Sequence, residues 1–337
     1  MNRSKRSSRR NGLGSAALVL VSLIATLLAL ELAVRAWRGT FSDWSNQIVA
    51  MRNPGMVDPG LTYDSQLGWV LTAGNRKMPV LEGPPFVLAI GDSFAYGMEV
   101  NDDQTWPFYL QEQLRARVVN GGVPGYGLDL DVLRAERLVP SLTPAHLVLS
   151  FIADDIRRME MHRLWSREKP YFELKDGALA LRHVPVPESP PYGSQLPWWE
   201  HWIGWSALAD MLRVRLVYDL PEYFGDHARA LPRGAGETLV CPLMQRLARL
   251  DVPTLVVAQY AAYGWENKAY GVEARRLSLL VLDCAAKAGL QTLDLFDMVD
   301  GPLRAGGRDS IFGPRADHQS PAGNRLTAEK IAAKLRP

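Results

Sequence analysis

Cysteine is scarce in this chain: Cys241 and Cys284 are the only two among 337 residues. Two cysteines with no Cys-x-x-Cys spacing do not make a metal site. A Gly-x-x-x-x-Gly-Lys-Ser/Thr phosphate loop and a His-Glu-x-x-His zinc helix are also missing, which removes the usual nucleotide and zinc-protease readings. No internal repeat or extended low-complexity tract occurs. Acidic residues are absent from the first ten positions, where Arg3, Lys5, Arg6, Arg9 and Arg10 place five positive charges. Taking those five from the 38 basic residues leaves 33 against 36 acidic ones, so the formal net charge of +2 becomes −3 for the rest of the chain. The body of the protein is therefore not a basic nucleic-acid binder.

After the basic head, Gly12 to Leu30 is a charge-free run of 19 residues, extended past Glu31 by Leu32-Ala33-Val34. A membrane-spanning helix needs about 20 mainly apolar residues. A cleaved signal peptide has a shorter apolar core, about 7–15 residues, with a small-residue cleavage site. Ala33-Val34-Arg35-Ala36 is a poor match to such a site, so the run reads as an uncleaved anchor. Positive charge belongs on the cytoplasmic side. The expected organisation is a cytoplasmic head (1–11), a single span (12–36), a connecting segment (37–84) and a domain outside the cytoplasm, in the periplasm or beyond (85–335). Trp37 and Trp44 suit a membrane interface, and Asn53-Pro54-Gly55 and Asp58-Pro59-Gly60 are turn signals. An extracytoplasmic setting permits a Cys241–Cys284 disulfide. Both residues fall in segments read as helices, and the sequence favours two separate small core residues.

From residue 86 the pattern is regular. Phe86–Gly91 reads as a buried strand, Gln104–Arg117 as a helix with Phe108, Leu110 and Leu114 inward, and Val118–Asn120 as a short strand. Leu128–Leu138 is the next helix and His146–Ile152 the third strand. The alternation breaks over about 158–236, an insertion, and resumes with helix Thr238–Leu250, strand Pro253–Ala258, helix Glu273–Ala288 and strand Thr292–Phe296. Ser320-Pro321 opens the last helix, with Ser as N-cap and Pro at N1. Strand–helix alternation of this kind predicts an α/β fold: three α/β/α layers around a central parallel sheet. Within the insertion, Asp176-Gly177 between alternating runs predicts a hairpin over Tyr171–Val186, followed by a proline-rich turn, Pro185–Pro197. Next, Trp198, Trp202, Trp205, Leu212 and Leu216 share one helical face. That stripe reads first as a lid packed on its own core. A wall for an apolar or sugar ligand, or a membrane-contacting face, is the functional alternative.

The chemistry collects at the carboxyl ends of the strands, where open α/β sheets bind ligands. The first strand runs straight into Gly91-Asp92-Ser93-Phe94 and leaves a serine hydroxyl at the sheet edge. Ser93 is followed by Phe94-Ala95, so the Gly-x-Ser-x-Gly elbow is absent. A nucleophilic serine needs a base within hydrogen-bond reach and a third group to orient that base. Of the six histidines, His146 lies in or beside a strand, and His162, His183, His201 and His227 lie in or near the insertion. His318 alone follows the last strand and precedes the final helix. Gly121-Gly122 after the second strand lets backbone N–H groups approach a developing oxyanion, and Asp154 follows the third strand.

These blocks resemble the SGNH (GDSL-type) hydrolase superfamily, above all its membrane-anchored periplasmic members. Gly91-Asp92-Ser93-Phe94 resembles the first block, Asn120-Gly121-Gly122-Val123-Pro124-Gly125 the second and His318-Gln319-Ser320-Pro321 the last, over about residues 83–157 and 236–335. The resemblance implies a flavodoxin-like three-layer fold, Ser93 as nucleophile, His318 as base, and an oxyanion site from Ser93, Gly122 and the position of Asp154. Two departures stand out. The third block of the family has Asn-Asp, whereas this chain has Asp154-Asp155, and an ionised carboxylate accepts but does not donate. The family's acid would fall at Ala316 or Arg315, neither of which can serve; adjacent Asp317 is the nearest carboxylate, with Asp309 or no acid at all as alternatives. The expectation is a membrane-anchored serine esterase or O-acyl transferase acting on acylated envelope glycan or lipid, acetyl esters among them. It would need no cofactor or metal and have no nucleic-acid partner. The alternative is a degenerate member that keeps the fold and binds glycan or scaffolds an envelope assembly.

Overall fold

The computed structural model describes residues 4–41, 44, 60–71, 77–79, 81–165, 167–188, 198–216, 227–305, 307–313 and 317–336. The turn signals at 53–55, Asp58 and Pro59 of the second one, and most of the proline-rich turn lie outside them. In chain order the elements are α1 (Ser4–Arg38), β1 (Leu61–Asp64), β2 (Gly68–Leu71), β3 (Val87–Gly91), α2 (Ser93–Tyr96), α3 (Trp106–Leu114), β4 (Val118–Asn120), α4 (Leu128–Leu142), β5 (His146–Phe151) and α5 (Asp154–Arg158). The inserted stretch contributes β6 (Met161–Leu164), β7 (Arg167–Glu168), β8 (Tyr171–Lys175), β9 (Ala178–Arg182), α6 (Trp198–Ile203), α7 (Ala207–Leu216) and β10 (Ala228–Arg229). The remainder is α8 (Gly236–Ala248), β11 (Thr254–Ala258), α9 (Tyr263–Glu266), α10 (Lys268–Lys287), β12 (Gln291–Asp294), α11 (Phe296–Arg304), α12 (Arg308–Ile311) and α13 (Pro321–Leu335). Two compact units result, residues 1–56 with 190–226 and residues 57–189 with 227–337.

The larger unit is built on a five-stranded sheet in the order β12-β11-β5-β3-β4. Every pairing in it is parallel. Numbering these five strands along the chain, the order is 2-1-3-4-5, that of flavodoxin-like folds, with the switch of direction between β3 and β5. Side chains alternate between the faces, as strand geometry requires. Leu88, Ile90, Leu147, Leu149 and Val256 pack with α4, α8 and α10 on one side. Val87, Ala89, Val148, Leu255 and Val257 meet Trp106 and Leu110 of α3 and Ile331 of α13 on the other. The expected three-layer α/β/α architecture is therefore present.

Several boundaries moved for local reasons. The helix expected from Gln104 starts at Trp106, because the Thr105 side chain accepts from Phe108 N and Pro107 occupies the first turn. The helix expected from Glu273 starts earlier, at Lys268, where Asn267 caps Tyr270 N. Ser320 caps the final helix by accepting from Gly323 N, with Pro321 following. The hairpin pairs β8 with β9. Asp176 and Gly177 both have positive φ, 52° and 79°, the pattern of a type I′ turn. The cysteines correct the sequence reading. Cys241 on α8 and Cys284 on α10 form a disulfide with a Cα–Cα separation of 4.7 Å. The two helices pack side by side on one face of the sheet, a proximity that residue spacing does not encode.

In the smaller unit, Ser15–Arg38 is 24 residues long, apolar enough to cross a membrane, and almost wholly exposed. The aromatic stripe is not one helix: it breaks at Gly204–Ser206 between α6 and α7. Nor is it packed as a lid on its own core. Trp198 and Trp202 are 76% and 72% exposed, and Trp205 and Leu212 about half exposed. Leu216 lies in α7, but its side chain is outside the described residues.

Candidate active site

Ser93 opens α2 at the carboxyl end of β3, beside the switch point. Gly91 has φ +151°, and a Cβ there would meet the Ser150 backbone oxygen at 2.3 Å, so the chain can turn out of the sheet at this point only with glycine. Asp92 then caps α2, its Oδ1 accepting from Phe94 N at 2.9 Å. Among the described residues the Ser93 N–H, first in that helix, has no protein acceptor.

His318 Nε2 lies 2.8 Å from Ser93 Oγ. The two residues come from opposite ends of the larger unit. Phe94 packs on the imidazole at a ring-centroid distance of 4.8 Å. The other ring nitrogen, Nδ1, is buried and lacks a well-aligned hydrogen bond, yet Glu99 Oε1 stands 3.3 Å from it. Glu99 follows Gly97, the left-handed cap of α2. It holds φ +68°, a conformation rare for a residue with a side chain and concentrated at functional sites. Among the described residues neither carboxylate expected from the sequence pairs with the ring. Asp317 is exposed and offers its backbone oxygen to Ala262 N; Asp309 is exposed on α12; Arg315 and Ala316 lie outside the described residues. Sequence reasoning missed Glu99, since six residues past a serine it reads as any surface glutamate.

Gly122 sits hard against α2: a Cβ would meet Tyr96 N at 2.3 Å. Its N–H donates to Asn120 Oδ1 at 3.0 Å, and Arg134 Nε holds the preceding carbonyl, Gly121 O, at 2.6 Å. Asp154 begins α5 with both oxygens engaged. Arg157 donates to Oδ1 at 2.8 Å, and the Tyr263 hydroxyl donates to Oδ2. Burial, and then the Asp154 charge, push the Tyr263 phenol well above its usual range. Asp154 is thus an acceptor that anchors α9.

Charge is also buried under the crevice. Arg158 Nη1 donates to Asp92 Oδ2 (3.2 Å), Asp155 Oδ1 (2.6 Å) and Tyr126 O (2.9 Å). It thereby ties the turn after β3 to the turn after β5, the two lips of the switch point. Asp155 Oδ2 also accepts from Ile152 N. Burial raises the Asp155 carboxyl well above the ordinary carboxylate range, and the Asp92 charge adds to this. Close by, Lys169 pairs with Asp129 at 2.6 Å, while buried Asp131 has no hydrogen-bond partner on either oxygen. A cavity of about 500 Å³ opens beside these strand ends, lined by Ile152, Ala261, Tyr260, Trp265 and Phe296 among others. Ile152 and Ala261 also pack against Phe94.

Among the described residues one group outside the crevice has metal-ligand chemistry. His162 Nδ1 and His183 Nε2 each lie 3.0 Å from Glu168 Oε2. That carboxylate oxygen meets both imidazoles, and Arg163 stands 3.9 Å from the second oxygen.

No family model and no curated protein sequence matches the chain. Solved structures do. LAE5, an α/β hydrolase enzyme from the metagenome of Lake Arreo, is 15% identical with a TM-score of 0.47, covering 75% of this chain and 97% of its own. A catalytic mutant of Axe2, an acetylxylan esterase from Geobacillus stearothermophilus, is 14% identical with a TM-score of 0.46, covering 76% and 96%. The lipase/acylhydrolase from Enterococcus faecalis is 12% identical with a TM-score of 0.42, covering 74% and 94%. These are likenesses of chain path; the chemistry of the site rests on the distances within this molecule.

Proposed function

We propose that this SGNH-like chain is a serine esterase or acyl transferase that works through an acyl-enzyme on Ser93. The observation that carries the reading is the line Ser93 Oγ–His318 Nε2–Nδ1–Glu99, with contacts of 2.8 and 3.3 Å. With a proton on Nδ1 directed at Glu99, Nε2 is free to accept. As Oγ attacks the ester carbonyl, the C–O bond forms, the serine proton passes to Nε2, and the carbonyl oxygen becomes an oxyanion facing the Ser93 N–H. Collapse breaks the ester bond, and the leaving alkoxide takes the proton from Nε2. Water, or an acceptor hydroxyl in the transferase case, then repeats the sequence in reverse. Glu99 holds the imidazole in the reactive tautomer. Arg158 and Asp92 are positioning residues that fix the serine turn.

The basic head and apolar α1 support an anchor with the larger unit outside the cytoplasm. Acylated glycan or lipid is the substrate class that such a location favours, and the aromatic-lined cavity beside Phe94 suits the acyl group or its carrier.

A fluorophosphonate probe on the full-length protein tests the reading. Labelling of the wild type, lost in Ser93→Ala and weakened in His318→Ala, is expected. A folded wild type that neither labels nor cleaves a short-chain nitrophenyl ester would overturn it. One observation favours the second reading, a protein that binds ester or glycan without turnover: the Gly122 N–H and both Asp154 oxygens are engaged within the protein, which leaves the Ser93 N–H to meet the oxyanion. That outcome would be binding of acylated glycan with no labelling.

A further inference from the structure

We infer that the α6–α7 helix pair is an interfacial membrane element, lying at the lipid headgroup boundary with its tryptophans in the bilayer. The inference rests on the reading of α1 as membrane-spanning. It begins with Glu31, the carboxylate that directly follows the charge-free run Gly12–Leu30 of α1. Glu31 Oε1 accepts from Ala207 N (2.9 Å), and Oε2 accepts from Ser206 Oγ (2.7 Å) and Leu208 N (2.9 Å). Ser206 Oγ in turn accepts from Ala209 N at 3.0 Å. The open N–H groups of the first turn of α7 are therefore satisfied by an anion from another helix. Two arginines complete the joint. Arg35, fully buried, donates to Glu31 Oε1 (2.6 Å) and to Trp205 O (2.7 Å). Arg38 pairs with buried Asp210 at 3.0 Å.

This joint sets the depth of the helix pair. At 1.5 Å per residue the run Gly12–Leu30 is about 28 Å long, close to the hydrocarbon thickness of about 30 Å. Glu31 thus falls at the outer boundary, and residues 205–208, bonded to it and to Arg35, fall at the same level. Gly204, Ala207 and Asp210 are buried at the joint, whereas Trp198, Trp202, Trp205 and Leu212 face outward. Trp37, 77% exposed, and Trp44 sit at the same end of α1. Exposed tryptophan on the elements joined to the outer end of a spanning helix is the composition of a membrane–water interface. In water the same side chains would form an apolar patch of the kind that marks contact with another phase or partner.

The test uses the full-length protein in vesicles of phosphatidylcholine and phosphatidylglycerol, with Cys241–Cys284 left oxidised. Trp202→Cys, Leu212→Cys and Ile24→Cys are each labelled with an environment-sensitive fluorophore and quenched by lipids spin-labelled near the headgroup or near the chain end. Labels at 202 and 212 are expected to lose most emission to the shallow quencher, and the label at 24 to the deep one. Quenching at 24 without quenching at 202 and 212 would overturn the inference and leave the anchor intact. Absence of quenching at all three would overturn the anchor reading itself. Blue-shifted but unquenched emission at 202 would mean a protein partner covers this face, which also overturns the lipid assignment. Adding Glu31→Ala is expected to reduce quenching at 202 while leaving that at 24 unchanged.

Discussion

Glu99 and His318 meet across the crevice, with Oε1 3.3 Å from Nδ1, on the side of the imidazole away from Ser93. The carboxylate comes from the turn after α2, so Ser93 and the group facing the far side of its imidazole partner descend from one short stretch of chain. Glu99 is 44% exposed, and a small lateral movement on substrate binding would straighten the contact, as catalytic hydrogen bonds often tighten in the complex.

Glu99→Gln and Glu99→Ala are expected to lower kcat by about 10²-fold, toward the low end of acid–base contributions, with little change in KM. Asp317→Ala and Asp309→Ala should leave kcat within about twofold of wild type, since neither side chain pairs with the imidazole and surface substitutions away from special features change little. Steady-state hydrolysis of a nitrophenyl ester measures all four variants; equal losses in Asp317→Ala would remove Glu99 from its role.

Asp154→Asn tests the oxyanion site. A missing side-chain donor costs about 10²–10³ in rate, so an amide aimed at the oxyanion would restore activity by a similar factor. The contacts to Arg157 and Tyr263 direct this side chain elsewhere. No such gain in turnover is therefore expected, and Tyr263→Phe should loosen α9. A hundredfold rise in kcat would show that the side chain turns toward Ser93.

Asp131 gives a pH signature. Burial, reinforced by the Asp92 and Asp129 charges, raises its carboxyl well above 3.8. The folded state then binds the proton more tightly than the unfolded chain. Stability from this group is fully present below pH 3.8 and is lost as pH climbs toward the raised value. Asp131→Asn should remove that loss, raising stability at neutral and mildly alkaline pH by roughly 1–3 kcal/mol, the cost of an unsatisfied buried group. Urea unfolding at a series of pH values reads the effect. An unchanged slope of stability against pH would assign the titration elsewhere.

The Cys241–Cys284 bond closes a loop with a sequence separation of 43. Its removal in Cys241→Ala/Cys284→Ala should cost about 2–4 kcal/mol, seen as a lower denaturation midpoint, with the disulfide verified by mass in the wild type.

What the sequence determined by itself is local. Apolar runs ending in Gly91-Asp92-Ser93 or Asn120-Gly121 mark strands and their carboxyl ends, and Asp176-Gly177 and Ser320-Pro321 mark a turn and a helix start. These depend only on backbone preferences of neighbouring residues, and together they imply an α/β sheet with Ser93 and His318 on one edge. Tertiary structure alone decided what meets across that edge and beyond it. Glu99 reaches His318 because the turn after α2 holds φ +68° beside the loop before α13. Cys241 reaches Cys284 because α8 and α10 share a face. Glu31 caps α7 from a position 176 residues before Ala207. In each case the pairing depends on how two backbones approach, which packing of the whole chain sets and no spacing or periodicity records.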